Sequence, residues 1–523
     1  MRGMASRPVA PGFIAALAAF TVYLALLNNF LRFQQYPLLR LEVLYAVLVG
    51  AGSAILFGTI YQIAGLLPKW AARTIRSALV GGLIGYAVAL VAGSVHALVA
   101  ASVAAGLAFR LESRVLAPIS LLAFATLLAA TVGIGQQTEA SAIRSGKSRP
   151  SAVSKPAIVH IIFDEQIGVQ GLPDDNPGTP RLRQAIREFY LNHGFELFGG
   201  AYSQYFNTAN SIPFVLNLEQ GEMRTSGGFF GEAKANAYFK LLKSAGYRIN
   251  VLQSDYIDYC SDLVELCTTY PSQNYASVAG APLSSADKAM LIQRKMIPNR
   301  LLYALSDVYL WLYDAGYRLP VAVPDMNVSP NPINALAALR SFQRELTNLQ
   351  SGQVYFAHFL LPHMPYALAP DCSIRPISQW REQVRSQPLV ERQNAYADQT
   401  LCVLRELKSV LESVERSPAG KNAIVIVHGD HGSRISDFHP LIENIGKFGD
   451  DDLIAGYSTL FAVRSPLIKP GYDQRHYPIV DLLREIATSN FRQAGSRPIA
   501  NPTVILSDEA MIPRRSVPLP RDW

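Results

Sequence analysis

The sequence has no block of lysine or arginine residues and no basic amphipathic helix, although its 523 residues carry a formal net charge of +7. Proteins that bind nucleic acid use a basic patch to neutralise phosphates, so nucleic acid is not an expected partner. The modest positive charge instead suits a surface near anionic lipid or phosphate. Charged residues are also scarce in the first 135 residues, which sets this part of the chain apart from the rest.

Four stretches in this first part contain no charged residue: Pro11–Leu31, Val43–Pro68, Ser77–Phe109 and Val115–Gly135. A helix needs ~20 apolar residues to cross a membrane, because the hydrocarbon layer is ~30 Å thick and each residue adds ~1.5 Å. The third stretch is too long for one ordinary span, so we interpret it as a tight hairpin that turns at Gly93 and Ser94. The sequence therefore predicts five transmembrane helices.

Basic residues flank these spans in three clusters, and five spans with a cytoplasmic N-terminus place all three clusters in the cytoplasm. The remainder of the chain then lies outside the cytoplasm. Four spans would move the third cluster to the other side and leave the later domain in the cytosol. No small-residue cleavage site follows the first stretch, so we expect it to remain as an anchor. The clusters are Arg2 and Arg7; Lys69, Arg73 and Arg76; Arg110 and Arg114.

All four cysteines lie after this first part, at Cys260, Cys267, Cys372 and Cys402. An even number confined to one domain suits two disulfides in an oxidising compartment. Sequence proximity favours the pairs Cys260–Cys267 and Cys372–Cys402, although three connectivities are possible. Four reduced, buried thiols in a cytosolic domain would give the same pattern, and the predicted topology favours the disulfides.

Composition predicts four regions: a transmembrane domain over 1–135, a linker over 136–156, a larger domain with the composition of a soluble protein over 157–510, which the motifs below make the candidate catalytic domain, and a tail over 511–523. The linker contains five serines and two prolines, which is typical of a flexible, semi-extended tether.

The catalytic region alternates short apolar runs with helical patterns, which indicates an α/β fold with a mostly parallel sheet covered on both faces. Ligands of such sheets bind beyond the carboxyl ends of the strands. The predicted strands are Ala157–Phe163, Tyr247–Leu252, Val354–Leu361, Ala423–Val427 and Ser458–Val463, and the predicted helices are Arg181–His193, Ala233–Ala245, Ile333–Leu349 and Glu391–Glu415.

Polar groups that can bind a metal follow two of these runs. Asp164 and Glu165 come directly after the first run, and Asp430 and His431 follow the fourth within the glycine-flanked sequence GDHG. Carboxylates and imidazoles that converge at strand ends can hold a divalent ion, and this ligand set suits zinc or manganese. An acidic pair after a strand also serves as a helix cap, so the GDHG turn is the more specific of the two signals.

Two hydroxyls in the segment SQYFNTANSIPFVLN are candidate nucleophiles, Thr208 and Ser211. A hydroxyl attacks only when a metal or a base lowers its pKa. The alternative is that Thr208 or Ser211 caps a helix that Pro213 begins, and this segment alone favours the cap.

Three histidines are predicted to lie near the same edge. The third run leads into HFLLPHMPY, which contains His358 and His363, and His439 follows the GDHG turn. Imidazole can bind a phosphoryl oxygen or act as a general acid toward a leaving group.

The ordered set of strand-DE, TANSIP, HMPY and strand-GDHG resembles the alkaline-phosphatase/sulfatase superfamily. Within it, the sequence is most similar to membrane-anchored phosphoethanolamine transferases and to phosphoglycerol transferases of the lipoteichoic acid synthase type. The resemblance implies a five-helix transmembrane domain followed by an alkaline-phosphatase-like α/β domain with a mostly parallel central sheet. It also implies a multi-pass protein of the bacterial inner membrane with its catalytic domain in the periplasm.

The resemblance also assigns roles to residues. Thr208 matches the threonine nucleophile of these transferases, which also contacts the metal, and His363 matches a histidine that contacts the substrate phosphate. His358 and His439 match less closely as substrate-binding residues, and Ser211 lies at the matching spacing beside the nucleophile. The implied metal ligands are Asp164, Glu165, Thr208, Asp430 and His431.

The implied reaction transfers a phospholipid headgroup, phosphoethanolamine or phosphoglycerol, through a covalent threonine intermediate to a cell-envelope glycan or lipid. A hydrolase with the same site, a phosphodiesterase or phosphatase, is the alternative, and an inactive membrane scaffold is a further one. A sulfatase is disfavoured, because Ser211 and Pro213 are not followed by the arginine of the formylglycine motif. The cysteine pair that flanks the nucleophile in phosphoethanolamine transferases is also missing, which leaves the headgroup open.

Overall fold

The computed structural model describes residues 10–92, 101–105, 155–173, 178–219, 233–298, 308–309, 311–312, 315–317, 328–382 and 387–520. The chain divides into two compact units. One contains residues 1–138 together with 275–328, and the other contains 139–274 together with 329–523. The second unit, called the catalytic unit below, is therefore interrupted in the sequence by a segment that packs with the N-terminal helices.

The N-terminal unit contains helices α1 (Pro11–Phe33), α2 (Leu41–Ala64) and α3 (Lys69–Ala92). Of the described helices, α1 and α2 are long and apolar enough to cross a membrane by length and composition. They approach closely at small residues, since a Cβ atom on Gly58 would lie 2.4 Å from the carbonyl oxygen of Gly12.

The predicted count of five spans is not confirmed by these two helices. The predicted turn at Gly93 and Ser94 lies outside the described residues, and so does the predicted last span, Val115–Gly135. The same holds for the predicted linker over 136–156 apart from its last two residues.

The segment 275–328 contributes helices α7 (Tyr275–Gly280) and α8 (Ser285–Lys295) to the N-terminal unit. The ring of Tyr275 packs edge-on against Phe30, with 5.0 Å between the ring centroids. Gln293 donates hydrogen bonds to the hydroxyl of Tyr23 and to the carbonyl of Ala46. The domain predicted over 157–510 therefore includes a segment that packs on α1 and α2. Composition alone does not show these long-range contacts.

The catalytic unit is an α/β domain built on one eight-stranded sheet and one two-stranded sheet. Its helices are α4 (Thr179–Asn192), α5 (Thr208–Leu216), α6 (Ala237–Ser244), α9 (Asn331–Glu345), α10 (Leu389–Arg416), α11 (Asp450–Tyr457) and α12 (Ile479–Thr488). Its strands are β1 (Ile158–Phe163), β2 (Glu196–Tyr202), β3 (Arg248–Ser254), β4 (Leu266–Tyr270), β5 (Gln353–Phe359), β6 (Ile424–Gly429), β7 (Phe461–Arg464), β8 (Gly471–Pro478), β9 (Thr503–Ser507) and β10 (Pro513–Pro518).

The large sheet has the strand order β4-β3-β5-β1-β6-β7-β2-β8. Strands β4, β3, β5, β1 and β6 are parallel to one another, β7 is antiparallel to both β6 and β2, and β8 is parallel to β2. The prediction of an α/β fold with a mostly parallel sheet is confirmed. The fifth predicted run became the antiparallel strand β7, whose direction a short apolar run does not reveal.

Strand β1 lies in the middle of the sheet and is buried on both faces. Alternate residues of a strand face opposite sides, so Val159 and Ile161 belong to one core cluster while Ile158 and Ile162 belong to the other. Helices α4, α9 and α10 cover the first face, and α5, α6 and α12 cover the second. Strand β1 is therefore apolar at every position except His160, which is itself buried and whose Nδ1 lies 3.2 Å from the hydroxyl of Tyr238.

The predicted tail is partly a structural element. Strand β10 pairs with β9 in an antiparallel ribbon, and Leu519 is buried against Tyr202 and Phe206. Residues 513–519 therefore belong to the catalytic unit. Composition suggested a tail because residues 511–523 contain three prolines and two adjacent arginines and no apolar run.

Both favoured disulfides are formed. Cys260 is bonded to Cys267, and Cys372 is bonded to Cys402. The second bond ties the loop after β5 to helix α10, and both lie in the catalytic unit.

Candidate active site

The register of the three central strands brings the predicted metal ligands together. Phe163 of β1 is paired with Phe359 of β5 and with Gly429 of β6, so Asp164 and Asp430 each follow the end of a strand at the same level. His358 lies one residue before the end of β5. Because side chains alternate along a strand, His358 is on the sheet face that α5 covers.

Three side chains form a compact group of metal-ligand type: Asp164, His358 and Asp430. Each offers one ligand atom, these atoms lie within 4.8 Å of one another, and all three residues are buried. Oδ1 of Asp164, Nε2 of His358 and Oδ2 of Asp430 have no hydrogen-bond partner among the described residues. Buried polar atoms are nearly always satisfied, so three such atoms that face one point fit a divalent cation.

His431 faces the same pair of carboxylates. Its Nε2 lies 3.4 Å from Oδ2 of Asp430 and 3.8 Å from Oδ1 of Asp164. Its Nδ1 lies 2.6 Å from the carbonyl oxygen of Gly432, which places the proton on Nδ1 and leaves the Nε2 lone pair available as a ligand. The set of two carboxylates and two imidazoles suits zinc or manganese.

Glycine is required at the turn that carries these ligands. A Cβ atom on Gly432 would lie 2.0 Å from the carbonyl oxygen of Ala455 in α11. The GDHG turn therefore packs directly against the backbone of this helix.

The electrostatics of the buried carboxylates Asp164 and Asp430 also favour a bound cation. Burial raises the pKa of Asp164 well above its usual range, and the neighbouring carboxylates of Asp430 and Glu165 raise it further. Burial also opposes ionisation of Asp430, but His431 and His358 outweigh it and lower the pKa of that carboxyl. An ionised Asp164 would be strongly stabilised by a positive ion beside it.

Thr208 is the first residue of helix α5, and its Oγ lies 3.3 Å from Nε2 of His431. The residue is 2 % exposed. Asn207 caps the helix, since its side chain accepts a hydrogen bond from the backbone N–H of Asn210. The alternative that Thr208 or Ser211 caps a helix beginning at Pro213 is therefore wrong: the helix begins five residues earlier, and Pro213 lies inside it.

Ser211 bonds to the backbone of the GDHG turn. Its Oγ donates a hydrogen bond to the backbone carbonyl of Asp430 and lies 2.9 Å from Oγ of Ser203. The residue is buried and its hydroxyl is directed at the backbone, so the structure gives Ser211 a supporting position rather than a substrate-binding one.

Glu165 lies in a second group, with Arg434 and His363. Nε of Arg434 donates a hydrogen bond of 2.7 Å to Oε1 of Glu165, and Nη2 of Arg434 lies 3.2 Å from Nε2 of His363. Burial opposes the charge of Glu165, but His363 and Arg434 outweigh it and lower the pKa of this carboxyl. The carboxylate of Glu165 therefore bonds to an arginine of the chain.

The open side of the site is the side of Arg434 and His363. Their side chains are 19 % and 18 % exposed, whereas Asp164, His358 and Asp430 are enclosed. His439 does not face this opening, because its Nε2 donates to the backbone carbonyl of Arg434. His439 was predicted as a substrate contact. In the structure it bonds instead to the backbone of Arg434.

Helix α10 fixes the loops on both sides of the site. The hydroxyl of Tyr396 donates to the carbonyl of Glu165 and accepts from the N–H of Ile167. The amide of Gln399 accepts from the N–H groups of Ala367 and Leu368 and donates to the carbonyl of His363.

The structure brings Asp164, Thr208, Asp430 and His431 together as predicted. It adds His358 to the metal-ligand group, where substrate contact was predicted, and it turns Glu165 toward Arg434. Arg434 was missed, although it follows the GDHG turn by two residues. No local sequence pattern indicates that Tyr396 and Gln399 support the site. The same holds for Tyr259, whose hydroxyl lies 3.0 Å from Nδ1 of His358.

The sequence matches no protein-family model and no curated protein. Among solved structures, it matches the C-terminal periplasmic domain of EcEptC from Escherichia coli at 13% identity, over 70% of this chain and 93% of that chain, with a TM-score of 0.40. It matches a protein in the alkaline phosphatase superfamily from Vibrio parahaemolyticus at 12% identity, over 67% and 73% of the two chains, with a TM-score of 0.37. A 2-O GAG sulfatase matches at 14% identity, over 68% and 79%, with a TM-score of 0.38. Likenesses this distant do not assign an activity.

Proposed function

We propose that this protein is a metal-dependent phosphotransferase that moves a phospholipid headgroup through a covalent intermediate on Thr208. The observation that carries the proposal is the position of the Thr208 hydroxyl, at the start of α5 and beside the ligand atoms of Asp164, His358 and Asp430. A hydroxyl at a helix N-terminus next to a metal-ligand group is arranged for attack on an anionic phosphoryl centre.

Asp164, His358, Asp430 and His431 would hold the cation. A divalent ion bound there supplies positive charge that lowers the pKa of an adjacent hydroxyl and offsets the charge of phosphoryl oxygens. Glu165 remains outside this set, because its carboxylate bonds to Arg434.

In the first step, Oγ of Thr208 attacks the phosphorus of the headgroup, and the phosphorus–oxygen bond to the diacylglycerol breaks. One proton leaves Thr208 and one joins the departing oxygen, so the step is balanced. In the second step, a hydroxyl of an envelope glycan or lipid attacks the same phosphorus, and Thr208 is released with its proton. The N–H groups in the first turn of α5 and the guanidinium of Arg434 can meet the phosphoryl oxygens.

The membrane setting supports a lipid donor. Helices α1 and α2 are suited to anchor the chain in a bilayer, so the catalytic unit is tethered to the surface where headgroups lie. We place the protein in the bacterial inner membrane with the catalytic unit in the periplasm, where Cys260–Cys267 and Cys372–Cys402 can form.

The proposal is tested with purified full-length protein and phosphatidylethanolamine or phosphatidylglycerol labelled in the headgroup. After an acid quench, we expect label on the wild-type protein and none on Thr208→Ala. Label released to water without a protein-bound stage in either variant would favour a hydrolase that uses water directly. The absence of any turnover in metal-loaded protein would support an inactive scaffold and reject the proposal.

A further inference from the structure

Two groups of metal-ligand type share Asp164. One consists of Asp164, His358 and Asp430, and the other consists of Asp164, Glu165 and His363. The groups differ in what faces them. The ligand atoms of the first have no hydrogen-bond partner among the described residues, whereas Glu165 and His363 in the second already contact the guanidinium of Arg434.

The guanidinium is placed against both ligand atoms that a second ion would need. Its Nε lies 2.7 Å from Oε1 of Glu165, and its Nη2 lies 3.2 Å from Nε2 of His363. These two ligand atoms are themselves 3.6 Å apart. A metal ion between Glu165 and His363 would have to displace the arginine.

We propose that Arg434 is the second cation of this site: its guanidinium takes the place of a second metal ion and binds a phosphoryl oxygen of the substrate. The inference rests on the proposed function, in which the substrate is an anionic phosphodiester. It predicts one metal ion per chain, at the group of Asp164, His358 and Asp430.

Arg434 is held firmly enough for this role. Its side chain is fixed by Glu165, and its backbone carbonyl accepts a hydrogen bond from Nε2 of His439. Glu165 adopts a φ of 63°, an uncommon conformation for a residue with a side chain, and its N–H donates to Oδ1 of Asp430. The arginine is therefore coupled through one residue to the metal-ligand group.

The charge and the free donors of Arg434 also fit an anion. Burial opposes the charge, but Glu165 and Asp164 outweigh it and raise the pKa of Arg434 above its ordinary value. A guanidinium carries five N–H groups, and the contacts with Glu165 and His363 use two of them. The side chain that carries the remaining donors is 19 % exposed, so a ligand can reach it.

His363 supports this arrangement as a positioning residue. Its Nδ1 lies 2.7 Å from the carbonyl oxygen of Met364, which places the proton of the neutral ring on Nδ1. Its Nε2 then accepts from Arg434 and has no proton to offer a phosphate oxygen. The arginine, rather than this histidine, presents donors to the substrate.

The test counts metal ions and measures turnover in the full-length protein in detergent, stripped by a chelator and dialysed against Mn²⁺ alone. We expect one ion in the wild type and two in Arg434→Ala, because the guanidinium then no longer stands against the ligand atoms of Glu165 and His363. We expect kcat/KM for the labelled lipid to fall roughly 10²-fold in this variant, with partial recovery in added guanidinium chloride. Arg434→Lys should keep one ion and intermediate activity, since lysine retains the charge without the planar fork.

The matched control is Arg464→Ala. Arg464 is 18 % exposed and bonds to Glu415, but it lies at the opposite end of the central strands, paired with Val425 of β6. It should keep one ion and wild-type turnover. Because Arg434→Ala removes the guanidinium that bonds to the buried carboxylate of Glu165, the double variant Arg434→Ala/Glu165→Gln serves if the single variant does not fold. It should bind one ion and show the same loss of turnover.

Two ions in the wild type, one ion in Arg434→Ala, or two ions in the double variant would each overturn the role of Arg434. A change in kcat/KM of less than twofold in Arg434→Ala would also overturn it. None of these outcomes affects labelling of Thr208. Failure of the wild type to bind any ion or to label Thr208 would instead reject the proposed function.

Discussion

At the scale of single residues, two hydroxyls of α5 lie at the GDHG turn and make different contacts. Oγ of Thr208 lies beside Nε2 of His431, whereas Oγ of Ser211 donates to the backbone carbonyl of Asp430. The sequence TANSIP made both of them candidate nucleophiles. Their positions separate them, because a hydroxyl that is bonded to a backbone carbonyl is directed away from a substrate.

Replacement of these two hydroxyls should have effects of very different size. Thr208→Ala removes the attacking atom, so turnover should fall by about 10³-fold or more. Ser211→Ala removes the buried hydrogen bond to Asp430, worth about 1 kcal/mol, which corresponds to about a fivefold loss of turnover if the turn shifts. The measurement is headgroup label on the protein, followed by sequencing of the modified peptide. Label on Ser211, or a larger loss in Ser211→Ala than in Thr208→Ala, would contradict this assignment.

At strand ends, the sequence selects residues that the structure brings close together. Asp164 and Asp430 were found because each directly follows an apolar run, and parallel strands end at one edge. Arg434 could not be paired with Glu165 in the same way, since the two are 269 residues apart and no local pattern joins them. The metal-ligand character of His358 depended on the register of β5 against β1, which the sequence does not show.

At the scale of elements, the buried strands were predictable and the outer ones were not. Strands β1, β5 and β6 are mostly apolar, because helices cover both faces of the sheet there, and the last four residues of β3 are buried although they include Gln253 and Ser254. Strand β8 lies at an edge and reads GYDQRHYP, with four polar or charged residues that face solvent in part. Strand β2 contains two adjacent glycines, and a Cβ atom on Gly200 would lie 2.7 Å from the carbonyl oxygen of Arg475.

Helix α10 determines where the loop after β5 lies, chiefly through Gln399. This one amide accepts two backbone hydrogen bonds and donates to the carbonyls of Pro362 and His363. A bond of this kind left unmade in a buried setting costs about 1–3 kcal/mol.

Gln399→Leu should therefore destabilise the protein by about 3 kcal/mol or more and should lower kcat/KM through movement of His363. Gln399→Glu keeps the acceptor oxygens and should be milder in its effect on Ala367 and Leu368. The control on the same helix is Glu412→Ala, an exposed site where we expect a change within about 0.5 kcal/mol. Thermal unfolding and steady-state kinetics of the three variants check this. Equal unfolding midpoints for Gln399→Leu and the control would show that the loop does not depend on this amide.

At the scale of the whole molecule, the location of the catalytic unit rests on topology and on its disulfides. The five spans and three cytoplasmic basic clusters predicted from the sequence would place this unit outside the cytoplasm, and all four cysteines are paired within it. A reporter that is active only in an oxidising compartment, fused after Trp523, should be active. Mass mapping without reduction should recover both Cys260–Cys267 and Cys372–Cys402. Activity of a strictly cytosolic reporter at the same point, together with four free thiols, would reverse the topology.

The segment 275–328 gives the chain a second connection between its two units, besides the linker before β1. The residues that flank this segment on either side lie close together within the catalytic unit. The amide of Gln273 donates to Oγ of Ser329 over 2.9 Å, and the amide of Asn334 donates to the carbonyl of Ser272. The segment can therefore be replaced by a short linker without strain on the sheet. Within the described part of the segment, Tyr275 is buried, and its ring packs against Phe30 of α1.

Two truncated forms of the protein that lack the N-terminal helices should therefore differ in solubility. Residues 139–523 alone keep the segment 275–328 but remove the helices that cover Tyr275, so exposed apolar surface should make this piece aggregate. The same piece with 275–328 replaced by about six glycine and serine residues should be monomeric and should bind one Mn²⁺ ion, because the central sheet and its ligands are intact. Gel filtration and metal analysis of both pieces check the prediction. A soluble first piece, or a second piece that does not bind the ion, would show that the segment belongs to the folding core of the catalytic unit and not to the membrane helices.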